Sequence, residues 1–253
     1  MKAVNRFVLI LLVIGTSLFS CRFEEDTGKK YALVYGINDY ANLLPYPNGD
    51  LRYCENDAND IDSVLTSEGY QTTLRTGSDA TKANMFSDLD NLSAIVKPED
   101  IVVFHFSGHG SENGEPGREY LCPYELDKSD VVGTCIDTET LAAYLKKINT
   151  DKIVCIFDHC YSGGNIVDNA NYIILAAAKH DEESFEYELF GNGLFTFFIL
   201  QGIGNKNADL NNDDFISAAE LFNFAKTNVE DMISYQHPQY YGKKDIDINL
   251  FDI

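Results

Sequence analysis

Two stretches of this 253-residue chain carry reactive side chains where an apolar run meets a glycine-rich turn. Ile101–Phe106 (IVVFHF) leads into Ser107-Gly108-His109-Gly110, and Lys152–Phe157 (KIVCIF) leads into Asp158-His159-Cys160-Tyr161-Ser162-Gly163-Gly164. Runs of this kind read as central strands covered on both faces. The turn at the carboxyl end of such a strand is where open α/β sheets place their ligands. If the two strands are neighbours, His109 and Cys160 come together as an imidazole–thiol pair. That is the arrangement of covalent acyl transfer, with the thiol as nucleophile and the imidazole as proton carrier. The glycines let a peptide backbone approach, and the N–H groups of Gly110 and Cys160 are candidates to hold an oxyanion. Each residue also has a plain alternative, Cys160 as a small buried hydrophobe and His109 as a structural imidazole.

Strands alternating with helices are expected to position these turns. Apolar strands read over Tyr31–Ile37, Tyr70–Leu74, Ile101–Phe106, Lys152–Phe157 and Tyr172–Ala177, with a short one at Glu119–Cys122 and a closing one at Ile246–Leu250. Helical spacing marks Asn56–Glu68, Thr81–Ile95, Thr138–Ile148 (capped by Asp137 or Thr138) and Leu221–Ile233. Gly193–Gly202 is apolar all round, as a buried helix is. The fold class is therefore α/β, a three-layer αβα sandwich around a mostly parallel sheet. There is no internal repeat.

The N-terminus reads as an export signal. Lys2 and Arg6 precede an apolar run from Phe7 to about Leu18, too short for the roughly 20 residues of a membrane-spanning helix. Leu18-Phe19-Ser20-Cys21 resembles a bacterial lipobox, so residues 1–20 are expected to be removed and Cys21 lipidated. Residues 21–30 then form a tether and residues 31–253 a single domain. The expected location is a bacterial cell envelope, lipid-anchored, periplasmic or surface-exposed. Losing Lys2 and Arg6 leaves 17 of the 19 basic residues against 40 acidic ones, a net charge of −23. Such a surface disfavours nucleic acid and attracts cationic peptides or calcium. Besides Cys21 there are Cys54, Cys122, Cys135, Cys155 and Cys160, an odd set that implies at least one free thiol. No CxxC spacing points to zinc.

Ser107–Gly110 and Asp158–Gly164 resemble the two catalytic motifs of the caspase–metacaspase family of cysteine peptidases. The likeness extends to Tyr31–Tyr40 (YALVYGINDY), Leu51–Asp57 (LRYCEND), Leu175–Ser184 (LAAAKHDEES) and Gly193–Thr196 (GLFT), in family order. It implies a caspase-like fold, His109 and Cys160 as a catalytic dyad with no cofactor needed for the chemistry, and protein or peptide substrates. At the positions that match the acidic S1 residues of metacaspases stand Asp57 and Asp158. Two carboxylates suit a guanidinium or ammonium, so cleavage after Arg or Lys is expected. The alternatives are a helix-start carboxylate for Asp57 and a turn cap for Asp158. His159 departs from the family, where a small residue precedes the nucleophile. It either assists ionisation of Cys160 or points away from it. The linker Asn165–Asn171 has no Lys or Arg, so an unprocessed single chain is expected.

Asp209–Glu220 (DLNNDDFISAAE) matches an EF-hand loop, with Asp209, Asn211, Asp213, the Phe215 carbonyl, Ser217 and Glu220 as candidate Ca²⁺ ligands. Asp214 replaces the usual glycine at the sixth position, and a metal-free turn is the alternative. The leading expectation is thus a membrane-tethered cysteine endopeptidase. The competing one is a non-catalytic calcium-binding lipoprotein that uses the scaffold for recognition. Oligomeric state is not legible in these residues.

Overall fold

A computed structural model describes residues 28–44, 51–114, 118–164, 171–242 and 247–253. The readings placed on residues 1–20 and on Cys21, and most of those on the tether and on the 165–171 linker, lie outside these residues. The elements that build the site are β1 (Lys30–Gly36), α1 (Cys54–Ser67), β2 (Tyr70–Thr76), α2 (Lys82–Ser93), β3 (Ile101–Ser107), α3 (Thr138–Leu145), β4 (Ile153–Asp158), β5 (Ile173–Ala176), α4 (Leu194–Gly204), α5 (Ala218–Met232) and β6 (Gln239–Tyr241). The six strands form one sheet in the order β6-β5-β4-β3-β1-β2. All neighbours are parallel except β6, which runs antiparallel to β5.

Side chains alternate across each strand, and the two sets build two cores. On one face Val102, Phe104 and Phe106 of β3 pack with Met85 and Leu89 of α2 and Leu141 and Leu145 of α3. On the other, Val103 and Val154 pack with Ala58, Ile61 and Leu65 of α1, Leu194 and Phe195 of α4, and Leu221 and Ala225 of α5. This is the expected three-layer α/β sandwich. Asp137 is the residue that caps α3, its carboxylate accepting from Glu139 N and Thr140 N. No residue from Leu194 to Ile203 is fully exposed, as the apolar stretch implied.

Three features differ from the expectation. The antiparallel edge strand β6 is absent from the apolar pattern because all three of its residues are half-buried. The closing strand lies at Asn249–Asp252 and pairs with Phe215–Ser217, forming a separate ribbon rather than an edge of the main sheet. The strand at Glu119–Cys122 shortens to Tyr120–Leu121, held between Gly110–Ser111 and Ile136–Asp137 in a three-stranded sheet. No helix among the described residues is long and apolar enough to cross a membrane.

His105 is the anomaly of the core. It stands between Val34 and Ile156 in the sheet register and is completely buried. Neither ring nitrogen finds a hydrogen-bond partner. Burial pushes its pKa down to about 3, so it is neutral in the fold. Between that value and the ordinary pKa of ~6.5 the unfolded chain binds a proton that the native state refuses, so stability falls as pH drops through this window. His105→Leu is expected to raise unfolding free energy by roughly 1–3 kcal/mol at neutral pH. The gain should widen below pH ~6, read from urea midpoints across pH. A destabilised variant with an unchanged acid limb would contradict this account.

Candidate active site

β3 and β4 end flush. Ser107 is the register partner of Asp158, and Gly108 N–H donates to the Asp158 carbonyl at 3.3 Å. The two glycine-rich turns therefore leave the sheet side by side. A Cβ built on Gly110 would lie 2.1 Å from the Cys160 carbonyl oxygen and 2.3 Å from His159 Nδ1, so only glycine allows the turns to touch here. His109 and Cys160 line the same narrow cleft of about 30 Å³, together with Leu51, Cys54, Asp57, Asp158 and Glu186. The expected convergence of thiol and imidazole is thus present.

His109 is held from behind. Its N–H donates to Tyr40 Oη at 2.6 Å, and its ring lies 4.9 Å from the Tyr40 ring. Cys160 is partly buried, its thiol 3.9 Å from the Ser184 carbonyl oxygen. Burial pushes the Cys160 pKa up to about 11, with nearby Glu183 and Asp158 adding to the rise. The Cys160 thiol is therefore protonated at neutral pH. The Cys160 N–H lies beside its own thiol. Cys122 N–H donates to the His109 carbonyl, which makes His109–Cys122 a hydrogen-bonded pair and Gly110–Leu121 a non-bonded one. The Gly110 N–H is thereby turned away from its partner strand.

His159 lines the same cleft but is buried and engaged with the backbone. It is 1 % exposed, and its Nδ1 donates to the Cys160 carbonyl oxygen at 2.8 Å. The ring sits edge-on to Phe106, and burial lowers its pKa to about 4. A neutral, sequestered imidazole does not promote ionisation of the thiol, so of the two readings of His159 the structural one holds.

Asp57 and Asp158 are buried together on the cleft floor at the start of α4. Asp57 Oδ2 accepts from Ser107 Oγ at 2.7 Å and Oδ1 from Gly193 N at 2.9 Å. Asp158 Oδ2 accepts from Thr196 N at 2.9 Å and from Thr196 Oγ1 at 2.8 Å, while Oδ1 takes Ser184 Oγ at 2.5 Å. Both carboxylates thus use the positive N-terminal end of α4, a favourable place for an anion. Even so, burial raises the pKa of both, and their mutual repulsion adds to the rise at Asp57. No Lys or Arg among the described residues forms an ion pair with either. Asp57 also stands in the first turn of α1, as the helix-start alternative has it, and both carboxylates bond across the fold as well.

With this geometry in view, the caspase domain of peptidase family C14 matches residues 29–246. The chain belongs to the caspase-domain peptidase family. Among curated relatives, Metacaspase-1 of Ajellomyces capsulatus is 28 % identical over 165 residues, covering 57 % of this chain and 44 % of the relative. Metacaspase-1 of Botryotinia fuckeliana is 30 % identical over 162 residues, covering 57 % and 37 %. The chain thus spans less than half the length of these relatives. A crystal structure of a Geobacter sulfurreducens protein superposes with a TM-score of 0.64 at 20 % identity, covering 86 % of this chain and 95 % of that one, and supports the fold.

The caspase domain here has cleft residues that the sequence reading left without a role. Cys54 and Ser107 line the cleft, and Ser184 and Thr196 hold Asp158. The Glu186 carboxylate accepts from Arg52 N and Tyr53 N just before α1 and lies 3.7 Å from the Cys54 thiol. Position in the GLFT and LRYCEND segments hinted at some of these; nothing marked Glu186.

No residue of the Asp209–Glu220 loop lines the cleft. Asp214 has φ 68° and Asn212 φ 60°, so Asp214 adopts the left-handed turn that glycine serves elsewhere. Asp209 Oδ1 accepts from Asn212 N and Asp213 N, and Asp213 Oδ1 from Phe215 N. Glu220 bonds Leu210 N, Asn211 N and, in a capping box, Ser217. Among the described residues no three His, Cys, Asp or Glu side chains converge on a point as a metal would require. Its donors are nonetheless all oxygens, the set a hard cation takes.

Two measurements check the site. Alkylation of Cys160 by iodoacetamide, followed by mass spectrometry, should climb without a plateau from pH ~7 to ~10, because only the scarce thiolate reacts. A plateau already reached by pH ~8 contradicts the protonated resting thiol. A Cβ on Gly193 would sit 2.5 Å from Asp158 Oδ2 and 3.0 Å from Asp57 Oδ2. Gly193→Ala should therefore cost roughly 1–3 kcal/mol of stability, measured in urea.

Proposed function

We propose that this caspase domain is a cysteine endopeptidase that cleaves after Arg or Lys. The observation that carries the reading is the pair of buried, mutually repelling carboxylates, Asp57 and Asp158, on the floor of the cleft that His109 and Cys160 line. A cationic P1 side chain supplies the charge that the protein does not. A guanidinium, with its planar fork of donors, is favoured over an ammonium.

In the proposed reaction His109 takes the Cys160 proton while the sulfur attacks the scissile carbonyl carbon. The resulting oxyanion is received by the Gly110 and Cys160 N–H groups. His109 then gives its proton to the departing amine, leaving a thioester on Cys160. Water, deprotonated by His109, hydrolyses the thioester and restores the thiol. No cofactor enters these steps. The substrate is protein or peptide, and the −23 charge of the processed chain disfavours nucleic acid as a partner.

We also propose that the chain is anchored through lipidated Cys21 in a bacterial cell envelope and acts as a single chain. Calcium is proposed to bind Asp209, Asn211, Asp213, the Phe215 carbonyl, Ser217 and Glu220, on the strength of their oxygen chemistry and EF-hand spacing. Cys21→Ala should release the protein to the soluble fraction. Millimolar Ca²⁺ should raise the thermal midpoint of the parent but not of Asp209→Ala.

The decisive experiment compares peptides that differ only at P1. Arg and Lys should be cleaved, and covalent labelling by an Arg acyloxymethyl ketone should vanish in Cys160→Ala. Faster cleavage after Asp would sink the specificity. No labelling with or without Ca²⁺ would favour the non-catalytic binding reading. Asp57→Asn and Asp158→Asn should each lower kcat/KM for P1 Arg by about 100-fold, since each leaves a desolvated cation short of one partner. Because both pKa values are raised, protonation discharges the pair on the acid side. kcat/KM should fall as pH drops through the pair, and inhibitor binding should release protons, read from the buffer dependence of its heat.

A further inference from the structure

Cys122 and Cys135 face one another behind the His109 turn, in the three-stranded sheet formed by Gly110–Ser111, Tyr120–Leu121 and Ile136–Asp137. In the antiparallel pair Tyr120 opposes Asp137 and Leu121 opposes Ile136. The next partners in this register are Cys122 and Cys135. Cys122 spends its N–H on the other neighbour, the His109 carbonyl at 3.1 Å, and Cys135 N donates to Val131 O. Cys122 and Cys135 therefore occupy a non-hydrogen-bonded position, where opposing Cα atoms approach to about 4.5 Å and side chains point the same way. That distance lies within the roughly 4.4–6.8 Å that a disulfide spans.

The surroundings agree with this placement. Both residues are buried, at 0 % and 1 % exposure, in the same core cluster. The two thiols lie near enough to shift each other's ionisation, Cys122 upward and Cys135 downward. Each also touches its own strand, Cys122 Sγ at 4.0 Å from the Tyr120 carbonyl and Cys135 Sγ at 3.9 Å from Thr134 Oγ1. Of the five described cysteines, all free in this structure, these two are register neighbours.

We propose that Cys122 and Cys135 are a modification site, joined as a disulfide that fastens the sheet behind His109. The oxidant is a disulfide, either a small one such as glutathione disulfide or one carried by a protein. One protein thiolate attacks a sulfur of the oxidant and expels half of it as a thiolate. The second protein thiolate then attacks the mixed disulfide, forming the Cys122–Cys135 bond and expelling the other half. Two electrons pass to the oxidant, which leaves as two thiols. The exchange belongs to folding, because both sulfurs are closed off once the sheet has formed. The bond crosslinks 14 residues of chain and leaves Cys54, Cys155 and Cys160 reduced, so the nucleophile survives in an oxidising compartment. Its formation does not depend on peptidase activity.

Trypsin separates the two cysteines. Cleavage after Arg118, Lys128 and Lys146 puts Cys122 in Glu119–Lys128 and Cys135 in Ser129–Lys146. The full chain, reduced and denatured, is refolded in glutathione disulfide and glutathione, then alkylated under denaturing conditions and digested without reductant. The expected product is a linked Glu119–Lys128/Ser129–Lys146 species that splits on reduction. Recovery of the two peptides separately alkylated, or linked to other cysteines, overturns the proposal. Reductant should also lower the thermal midpoint of the oxidised parent by roughly 5–10 °C. The midpoint of Cys122→Ala/Cys135→Ala should not respond; an equal response in that variant overturns the assignment to this pair.

Discussion

Ser107 at the end of β3 and Asp158 at the end of β4 are register partners, and this flush ending of two parallel strands governs the rest of the site. Had the strands slipped by one residue, every side chain on β4 would change faces. Asp158 would leave the α4 side, and the turn bearing Cys160 would no longer meet the turn bearing His109. The register is locked from both cores, by Phe104 and Phe157 on one side and by Val103, Val154 and Ile156 on the other. Gly110 then lets the Cys160 carbonyl approach as closely as the strand spacing dictates. A thiol and an imidazole far apart in sequence become neighbours through hydrophobic packing that involves neither of them.

Charge is arranged against the local preference. Two carboxylates share a buried floor and a helix start, and a thiol nearby is held protonated by the same lack of water. A protein selected for stability alone has little reason to retain such a pair, whereas the cation-receiving site proposed here does. The net charge of −21 would act in the same direction on a cationic substrate, from beyond contact distance. The neutral His159 stands apart: it gives its hydrogen to the Cys160 carbonyl and packs on Phe106, which makes it part of the wall rather than of the chemistry.

Much of this was legible in the residues. The five parallel strands, the helices between them and the positions of His109 and Cys160 follow from apolar runs closed by glycine. What escaped depends on partners distant in the chain. Ser107 bonds Asp57 across 50 residues and Gly193 bonds Asp57 across 136, and no local pattern announces either. Glu186 reaches 133 residues back to Tyr53 and resembles any surface glutamate in sequence. His105 sits in a strand whose neighbours are apolar, yet the pattern alone does not reveal that its ring has no partner. The edge strand β6 escaped for a different reason: half-buried on both faces, it has neither the alternation nor the apolar run that marks a strand.

Asp57 and Asp158 line the cleft and also hold Gly193 N and Thr196 N at the head of α4. On the proposed reading, ligand preference and chain architecture are therefore written in the same bonds. A lineage, or an engineer, seeking to turn this pocket toward acidic or neutral side chains cannot exchange Asp57 or Asp158 without also supplying α4 with a new anchor. Divergence at this pocket should accordingly proceed in linked steps, with the start of the helix changing alongside the floor. Glu186, the register partner of Gly193 and the acceptor for Arg52 N and Tyr53 N, is tied to the same helix start and would be drawn into those linked steps.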